Sequence, residues 1–436
     1  MSDSLRSPPA LKRTVCPETI PEQIVWWAIT WTYPLWWMGG LYIVGSILGW
    51  LLLALLLVKI LAQDESTPLK DRISISWVIW LWIIGMVSME VSLLAGHLDF
   101  NLGVEMMVKS TIGWAKGWAA LALYLLAGNL RIRSEIIIRA VCIIGFQTVL
   151  ITPILLITPY LHLPELLYVS PLKIFGGAGL EFFEVRIFEI DPTTDQLRWR
   201  LFAPWAPALG FVGNIYFLLS LQEEDKKWKL FGLAGAILMC LVCKSRLAQL
   251  SLFLIPLITI LVTKLWRPMG LVCLGVIFHL SGLFAPRVID FTIYLWESFK
   301  TARIASTRVR MALKRIAVFR WETEAPIWGH GVVERGGHVV EWMPIGSHHT
   351  WAGLLFVKGI VGFLALTIPM VATTVLLLWR CSKPRYQLAS TGLGMIMILF
   401  LYTFGENLEI LIYLIWPGII VLGLALQEKE LRYGMP

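Results

Sequence analysis

Residues 40–61 read GLYIVGSILGWLLLALLLVKIL, a nearly continuous apolar run in which Lys59 is the one charged residue. A run of about twenty apolar residues is what an α-helix needs to cross the hydrocarbon core of a bilayer. Such runs recur along the chain, because 57% of its 436 residues are hydrophobic and only 15% are charged. A soluble domain would carry about a quarter charged residues. The sequence therefore predicts an all-α polytopic membrane protein.

The apolar runs predict about twelve transmembrane helices. The stretch 24–62 is too long for one helix, and Pro34 together with Gly39 and Gly40 marks a turn between two. Helices 1–5 are expected within 24–158, helices 6–9 within 205–285 and helices 10–12 within 351–426. The individual spans are expected near residues 24–38, 40–61, 74–95, 104–127, 136–158, 205–221, 230–243, 246–263, 269–285, 351–378, 388–404 and 409–426.

Lysine and arginine residues are concentrated in alternate connections between the apolar runs. Lys226 with Lys227 and Arg380 with Lys383 are two such pairs, and basic residues of this kind favour the cytoplasmic side. They account for the formal net charge of +8 without nucleic-acid binding. The predicted topology has two cytoplasmic tails, 1–23 and 427–436, and two long extracytoplasmic loops, 159–204 and 286–350.

The two long loops differ in their predicted structure. In 159–204, EVRIFEI (184–190) and QLRWRLF (196–202) alternate polar and apolar residues around the turn sequence DPTTD, which is typical of a small β-hairpin. Loop 286–350 holds four of the seven histidines, and its first part, 289–321, has the period of short amphipathic helices. Because long loops in compact proteins are usually functional, we expect the second loop to be catalytic.

Lys244 and Arg246 lie in a predicted extracytoplasmic turn, against the usual charge bias. Binding of a phosphate or diphosphate would explain them, because the planar guanidinium of arginine matches phosphate oxygens. The alternative is that both side chains reach out to lipid headgroups, and charge placement alone does not decide between the two. Lys116, inside the predicted span 104–127, is expected to face a wet cavity or a bound phosphate.

The remaining candidates lie in loop 286–350. Basic residues including Arg308, Arg310 and Arg320 crowd its helical part, where a basic amphipathic helix often simply lies on anionic lipid. His330 and His348 are candidates for a base or a hydrogen-bond donor near neutral pH, the alternative being a structural hydrogen bond. No metal site is predicted, because the spacing of the four histidines matches no compact ligand motif.

Several motifs, taken in order, resemble those of the O-antigen ligase and O-antigen polymerase superfamily of bacterial surface-polysaccharide enzymes. KSRLA (244–248) resembles the Ser-Arg-Gly/Ala motif that opens a helix at the external face. RVR (308–310) and then APIWGHG (325–331) resemble the arginine and the Pro-x-x-Gly-x-Gly turn of that superfamily. Two arginines are available in the first of these segments, and the spacing does not distinguish them.

HHTW (348–351), with Gly359 and Gly362 further on, is similar to the superfamily's His-Asn-x-Tyr segment. In this register His348 takes the position of the functional histidine and His349 replaces the usual asparagine. Lys358 is a departure, because an acidic residue is common at that position. The order of the motifs and the number of helices carry the resemblance, since no single motif is specific.

The resemblance implies metal-independent glycosyl transfer that needs no cofactor. The donor would be a glycan linked to undecaprenyl diphosphate, and the site would face the periplasm from the bacterial plasma membrane. We expect Arg246 and Arg310, with Arg308 as the alternative, to stabilise the leaving diphosphate. His348 would accept the proton of the acceptor hydroxyl or hydrogen-bond a phosphate oxygen. Further substrate contacts are expected from Arg308, Lys244, Lys116 and His330.

The acceptor stays open at this point. A lipid A core would make the protein a ligase, another repeat unit a polymerase, and a protein hydroxyl an oligosaccharyltransferase; the modest external region slightly favours a polymerase or exopolysaccharide assembly. The rival interpretation is a transporter or flippase of an anionic or lipid-linked substrate, which predicts a midplane site between related halves. No internal repeat is evident, and this favours the enzyme over the transporter. A non-catalytic envelope scaffold is a third interpretation.

Overall fold

The computed structural model of the chain is predominantly helical. Parts of the predicted tails and of both predicted loops lie outside the residues that it describes. The described residues are 15–68, 72–177, 179–191, 195–265, 268–287, 289–290, 293, 304–383 and 386–428.

Fifteen α-helices lie within these ranges. They are α1 Ile20–Thr30, α2 Thr32–Trp37, α3 Leu41–Leu61, α4 Trp77–Asp99, α5 Val104–Lys116, α6 Trp118–Ala127, α7 Ser134–Ile157, α8 Ala206–Ser220, α9 Lys226–Val242, α10 Arg246–Leu265, α11 Pro268–Leu283, α12 Ile304–Glu324, α13 Thr350–Cys381, α14 Ala389–Tyr402 and α15 Leu408–Gln427. The four short strands are β1 Leu166–Val169, β2 Glu184–Arg186, β3 Phe188–Ile190 and β4 Leu197–Trp199.

Six of the described helices are long and apolar enough to cross a membrane: α3, α4, α7, α10, α13 and α15. Apolar side chains also cover the outer faces of these helices. On α3, for example, Ile47, Leu51 and Val58 are exposed, although a helix of a soluble protein would carry polar residues there. These features indicate a membrane-embedded protein, whereas the count of about twelve spans stays a prediction.

The centre of the bundle is formed by α6 and α15. Every residue of α6 is buried, and so are 83% of the residues in the apolar stretch of α15. The two helices approach through glycine, since a Cβ on Gly423 would lie 2.3 Å from the carbonyl oxygen of Leu125. In a membrane the hydrophobic effect does not drive helices together. Small residues at such crossings stabilise the bundle because they let the helix backbones pack closely.

The predicted β-hairpin is confirmed for the half nearest its turn. β3 pairs antiparallel with β4, so that Phe188 lies opposite Trp199 and Ile190 opposite Leu197. The EVRIFEI segment is not one strand, however, because its first half forms β2 and pairs with β1 in a separate two-stranded sheet.

Two predicted spans, 104–127 and 351–378, are interrupted at a glycine. The first divides into α5 and α6 at Gly117, where a Cβ would lie 2.5 Å from Cγ of Glu409. In the second, Gly359 of α13 has a φ of +59° and a ψ of −160°, a conformation open to glycine but costly for other residues. Apolar periodicity does not reveal such a break, because both halves of the helix are apolar.

The break in α13 is filled by residues 326–331, which we call the splice segment. Backbone N–H groups at the start of the second half of α13 need acceptors, since a new helix begins there. Ile360 donates to the carbonyl oxygen of Pro326 at 3.0 Å. The carbonyl groups that end the first half are also satisfied: that of Val357 accepts from the N–H of Gly331 at 2.9 Å, and that of Lys358 accepts from the Ser92 hydroxyl at 2.7 Å.

Candidate functional site

The start of α13 is fixed to the turn 403–408, which connects α14 to α15. The N–H of Thr350 donates to the carbonyl oxygen of Thr403 at 2.8 Å. The Thr350 hydroxyl donates to the carbonyl oxygen of Glu406 at 2.7 Å. His348, which precedes this contact with a φ of +62°, is therefore held close to the turn.

Tyr402 positions the same turn against two further helices. Its hydroxyl accepts a hydrogen bond from Asn214 of α8 at 2.8 Å. The same Asn214 amide donates to the carbonyl oxygen of Ala248, in the first turn of α10, at 3.2 Å. The beginning of α10, where Arg246 lies, is thereby brought to the end of the bundle that carries the turn 403–408. We call this the site end.

Arg310 of α12 brings a positive charge to the site end. Its charge acts on His348 and on Glu406, so that α12, the approach to α13 and the turn 403–408 converge at one place. We call Arg310, His348 and Glu406 the charge cluster. Two of its members were predicted from the sequence as catalytic residues, and the third was not.

His348 of the charge cluster is neutral at neutral pH. Burial, and to a smaller extent the charge of Arg310, lowers the pKa of its imidazole to about 4. A neutral imidazole offers one N–H donor and one nitrogen acceptor, so it can hydrogen-bond an anionic oxygen without carrying a charge of its own.

Glu406 is the member of the cluster that the sequence did not single out. It is 3% exposed, and its carboxylate accepts a hydrogen bond from the indole of Trp205 at 2.8 Å. Burial raises the pKa of Glu406 to about 7, although Trp205 and the charge of Arg310 act in the opposite direction. The one signal in the sequence is an acidic residue in a short turn between apolar runs, which by itself looks like an ordinary solvated position.

Arg308 and Arg310 are distinguished by their placement. Residues two apart on a helix point in nearly opposite directions, and it is Arg310 that acts on His348 and Glu406. Arg308 is exposed. The geometry thus favours Arg310 over Arg308 as the arginine of the charge cluster.

Arg320, further along α12, does not lie on the lipid as a basic amphipathic helix would suggest. Its guanidinium forms an ion pair with Glu324 at 2.8 Å and another with Glu334. It also lies over the ring of Phe356, 5.1 Å from the centroid. Arg320 therefore anchors α12 to the first half of α13, and this anchoring holds the helix that carries Arg310.

Lys244 and Arg246 lie at the junction between α9 and α10. Lys244 has a φ of +49° and Arg246 is the first residue of α10; both are partly buried. The next residue, Leu247, approaches Gly405 so closely that a Cβ there would lie 3.3 Å from its side chain. The KSRLA segment thus begins its helix beside the turn of the charge cluster.

His330 lies in the interior, in the splice segment. It is 1% exposed, and its ring stacks against Phe356 at 4.3 Å and Phe100 at 5.0 Å. Nδ1 is hydrogen-bonded to the carbonyl oxygen of Phe356 at 2.9 Å, and Nε2 to Glu324 at 2.8 Å. Because both ring nitrogens are used, this placement favours a structural role over the predicted contact with substrate.

Lys116 lies at the end of α5, beside the break at Gly117. Its ammonium group donates to the carbonyl oxygen of Gly176 at 3.4 Å and lies 5.9 Å from the ring centroid of Tyr42. These contacts direct the side chain to the loop 159–204, and they give no direct support to a contact with the same phosphate that Arg310 would hold.

Lys358, the departure from the family pattern, ends the first half of α13 and is 1% exposed. Glu409 and Glu90 are the charges that act on it. A cation at the C-terminal end of a helix is stabilised by the helix dipole, and the two carboxylates provide compensating negative charge. Nothing in the sequence indicates that the charges of Glu90 and Glu409, on different helices, both act on this lysine.

An apolar groove runs along α13 from the site end. It has a volume of about 610 Å³, and Lys314 and His349 lie at its mouth. The rest of the lining is apolar or aromatic apart from two threonines, and comprises Val318, Trp351, Ala352, Leu355, Phe363, Thr367, Met370, Val371, Thr374, Val375, Phe400 and Phe404. Among the residues that the structure describes, no group of three His, Cys, Asp or Glu side chains is placed to hold a metal ion.

The motifs that suggested a family are spread over residues 244–362: KSRLA, RVR and HHTW lie at the site end, whereas APIWGHG fills the break in α13. No protein-family model and no curated protein sequence matches the chain.

Proposed function

We propose that the protein transfers a glycan from a polyprenyl diphosphate to an acceptor hydroxyl, without a metal ion, at the extracytoplasmic face of a bacterial plasma membrane. The observation that carries this proposal is the convergence of Arg310, His348 and Glu406 beside the start of α10. An arginine, a neutral histidine and a carboxyl group of raised pKa provide the functions that this reaction requires.

The first requirement is to stabilise the leaving diphosphate. When the acceptor oxygen attacks the anomeric carbon, the bond from that carbon to the phosphate oxygen breaks and its electron pair stays on the diphosphate. Arg310 and Arg246 would bind this developing charge, which is most effective where fixed donors act in a water-poor environment. His348 would donate its N–H to a phosphate oxygen.

The second requirement is to accept the proton of the acceptor hydroxyl. A general base is most effective when its pKa lies near the working pH. The pKa of His348, about 4, is too low for this role, whereas that of Glu406, about 7, is well matched. We therefore assign the proton to Glu406, and of the two roles expected for His348 we retain the hydrogen bond to phosphate.

A transporter or flippase is the second candidate, because interrupted helices and buried intramembrane charges are typical of transporters. Gly117 and Gly359 interrupt helices, and Lys358 is a buried charge. In transporters, however, the unwound backbone is available to the substrate or ion. Here the carbonyl groups of Phe356, Val357 and Lys358 are hydrogen-bonded within the protein, which favours the enzyme.

The test is transfer by the purified protein in lipid nanodiscs. A polyprenyl-diphosphate-linked glycan would be supplied with a chelator and, in parallel, with a repeat unit, a lipid A core or a peptide as acceptor. We expect product with one class of acceptor and release of polyprenyl diphosphate in equal amount. Strict dependence on added divalent ions, or movement of the donor across the bilayer without transfer, would contradict the proposal.

A further inference from the structure

The groove along α13 begins where the charge cluster ends. His349, at its mouth, directly follows His348 in the chain. Trp351 forms part of the wall and also donates a hydrogen bond to Thr403 at 2.7 Å, which ties the wall to the turn of the charge cluster. The groove and the cluster are therefore built on the same anchored segment.

The groove faces the surroundings of the bundle. Val371, Val375, Phe400 and Phe404 belong to its wall and are also 50% exposed or more. In a membrane-embedded protein such a face meets lipid chains. A trough with this lining suits a hydrocarbon chain, because it excludes polar ligands over most of its length.

The mouth of the groove has the opposite character. Lys314 is exposed, and its charge is one of the causes, after burial, that lower the pKa of His349 to about 4. An ammonium group beside a neutral imidazole is suited to an anionic headgroup such as a phosphate. The site thus accommodates a ligand with one negatively charged end and one long apolar chain.

We propose that this groove binds the first isoprene units of the donor's polyprenyl chain, with Lys314 contacting the phosphate that carries the chain. This inference rests on the proposed function and assigns the part of the donor that the charge cluster leaves unbound.

Three observations favour an isoprenoid over an ordinary phospholipid as the occupant. The groove is a single trough, which suits one chain better than the two acyl chains of a phospholipid. It opens next to the cluster to which we assign the diphosphate, so a chain bound in it would hold the reacting bond nearby. Aromatic rings recur along its wall, with Trp351 and Phe363 5.2 Å apart and Phe400 and Phe404 5.1 Å apart, and flat rings pack well against planar, methyl-branched isoprene units.

The test is binding of a photoreactive polyprenyl phosphate to the protein in nanodiscs, followed by mapping of the labelled peptides. We expect labelling of α13 and α14, and competition by unlabelled polyprenyl phosphate but not by the same excess of phosphatidylglycerol. In Thr367→Trp, which fills the groove, labelling should fall several-fold. Ile368→Trp is the matched control, because Ile368 is the neighbouring exposed residue and does not line the groove.

A second pair of variants tests the mouth. Lys314→Gln should weaken binding of polyprenyl phosphate roughly tenfold, the size expected for one hydrogen bond to a charged group. Arg315→Gln removes the neighbouring exposed charge, which does not line the groove, and should leave binding unchanged.

The outcomes separate this inference from the proposed function. Labelling that is unaffected by Thr367→Trp, or that phosphatidylglycerol competes equally, would overturn the groove assignment even if glycan transfer is observed. Labelling that follows the expected pattern in a protein that transfers no glycan to any acceptor would support the groove and contradict the enzyme.

Discussion

The splice segment and the charge cluster contain similar residues, but the environments of those residues differ. Each joins a loop histidine to α13, His330 in the first case and His348 in the second. In the splice segment both ring nitrogens of His330 have protein partners. In the charge cluster, burial lowers the pKa of His348 and raises that of Glu406, so that both lie outside their usual ranges. Perturbed groups of this kind mark functional sites more often than satisfied ones do.

The comparison depends first on the break in α13. Gly359→Ala should prevent accumulation of folded protein, because alanine disfavours a φ of +59° and its Cβ would lie 2.2 Å from the carbonyl oxygen of Ile327. The measurement is monodisperse protein recovered in detergent. Gly113→Ala is the matched control, since a Cβ at that helical position meets nothing within 4 Å. Normal recovery of Gly359→Ala would show that folding does not require the break in α13 or the splice segment that fills it.

Glu406→Gln should reduce the rate of transfer by about two to four powers of ten, the usual contribution of a general base. In the wild type the rate should rise with pH and level off above the pKa of Glu406, about 7. The variant should lose this rise. An unchanged pH profile in the variant would assign the proton to another group.

Stability provides the control for that variant. The pKa of Glu406 is raised from about 4.5 to about 7 on folding, so the ionised carboxylate destabilises the fold above pH 7. Stability attributable to this group is present below pH 4.5 and is lost as the pH rises through 7. Glu406→Gln should therefore be more stable than the wild type at pH 8, by up to about 3 kcal/mol, and not at pH 4. A loss of activity together with a loss of stability at pH 8 would point to misfolding.

Arg310→Lys should lower the rate of transfer by about two to three powers of ten, because lysine keeps the charge but not the paired donors that bind a diphosphate. Arg246→Lys is expected to behave similarly. Arg308→Lys, two residues away on a different face of α12, should be nearly silent. If Arg308→Lys is the inactive variant, α12 presents the other arginine to the substrate.

His330→Ala should lower stability by about 2–3 kcal/mol, because it removes one hydrogen bond each from Glu324 and from the Phe356 carbonyl group and opens a cavity between two rings. The folded fraction should keep its kcat. A variant with normal stability and no activity would place His330 among the residues that contact substrate and would weaken the distinction between the two regions.

The smallest effect is expected for His349→Asn. His349 caps α13 by accepting the N–H of Ala352 at Nδ1, at 3.3 Å, and asparagine is among the best residues for this position. The free energy of unfolding should change by no more than about 0.5 kcal/mol, and the rate of transfer by no more than about twofold. His348→Ala in the same assay should lose most activity, and a reversal of the two results would mean that the wrong histidine has been assigned.

Much of the secondary structure could be predicted because hydrophobic runs of membrane length are strong signals. The span expected at 40–61 is α3 at Leu41–Leu61, and that expected at 409–426 is α15 at Leu408–Gln427. The breaks at Gly117 and Gly359 could not be predicted, because glycine is common in transmembrane helices. Whether it interrupts one depends on which backbone lies against it.

The candidate site, like the secondary structure, could be predicted only in part from the sequence. The sequence alone determined the helical class and the hairpin turn, since charge and apolar period are properties of the chain itself. Charge placement together with the family resemblance made Arg246, Arg310 and His348 candidates. The tertiary structure decided that His330 lies in the interior and Arg310 at the cluster, and it added Glu406. Burial and electric fields depend on residues far apart in sequence, such as Trp205 beside Glu406, and only folding brings these together.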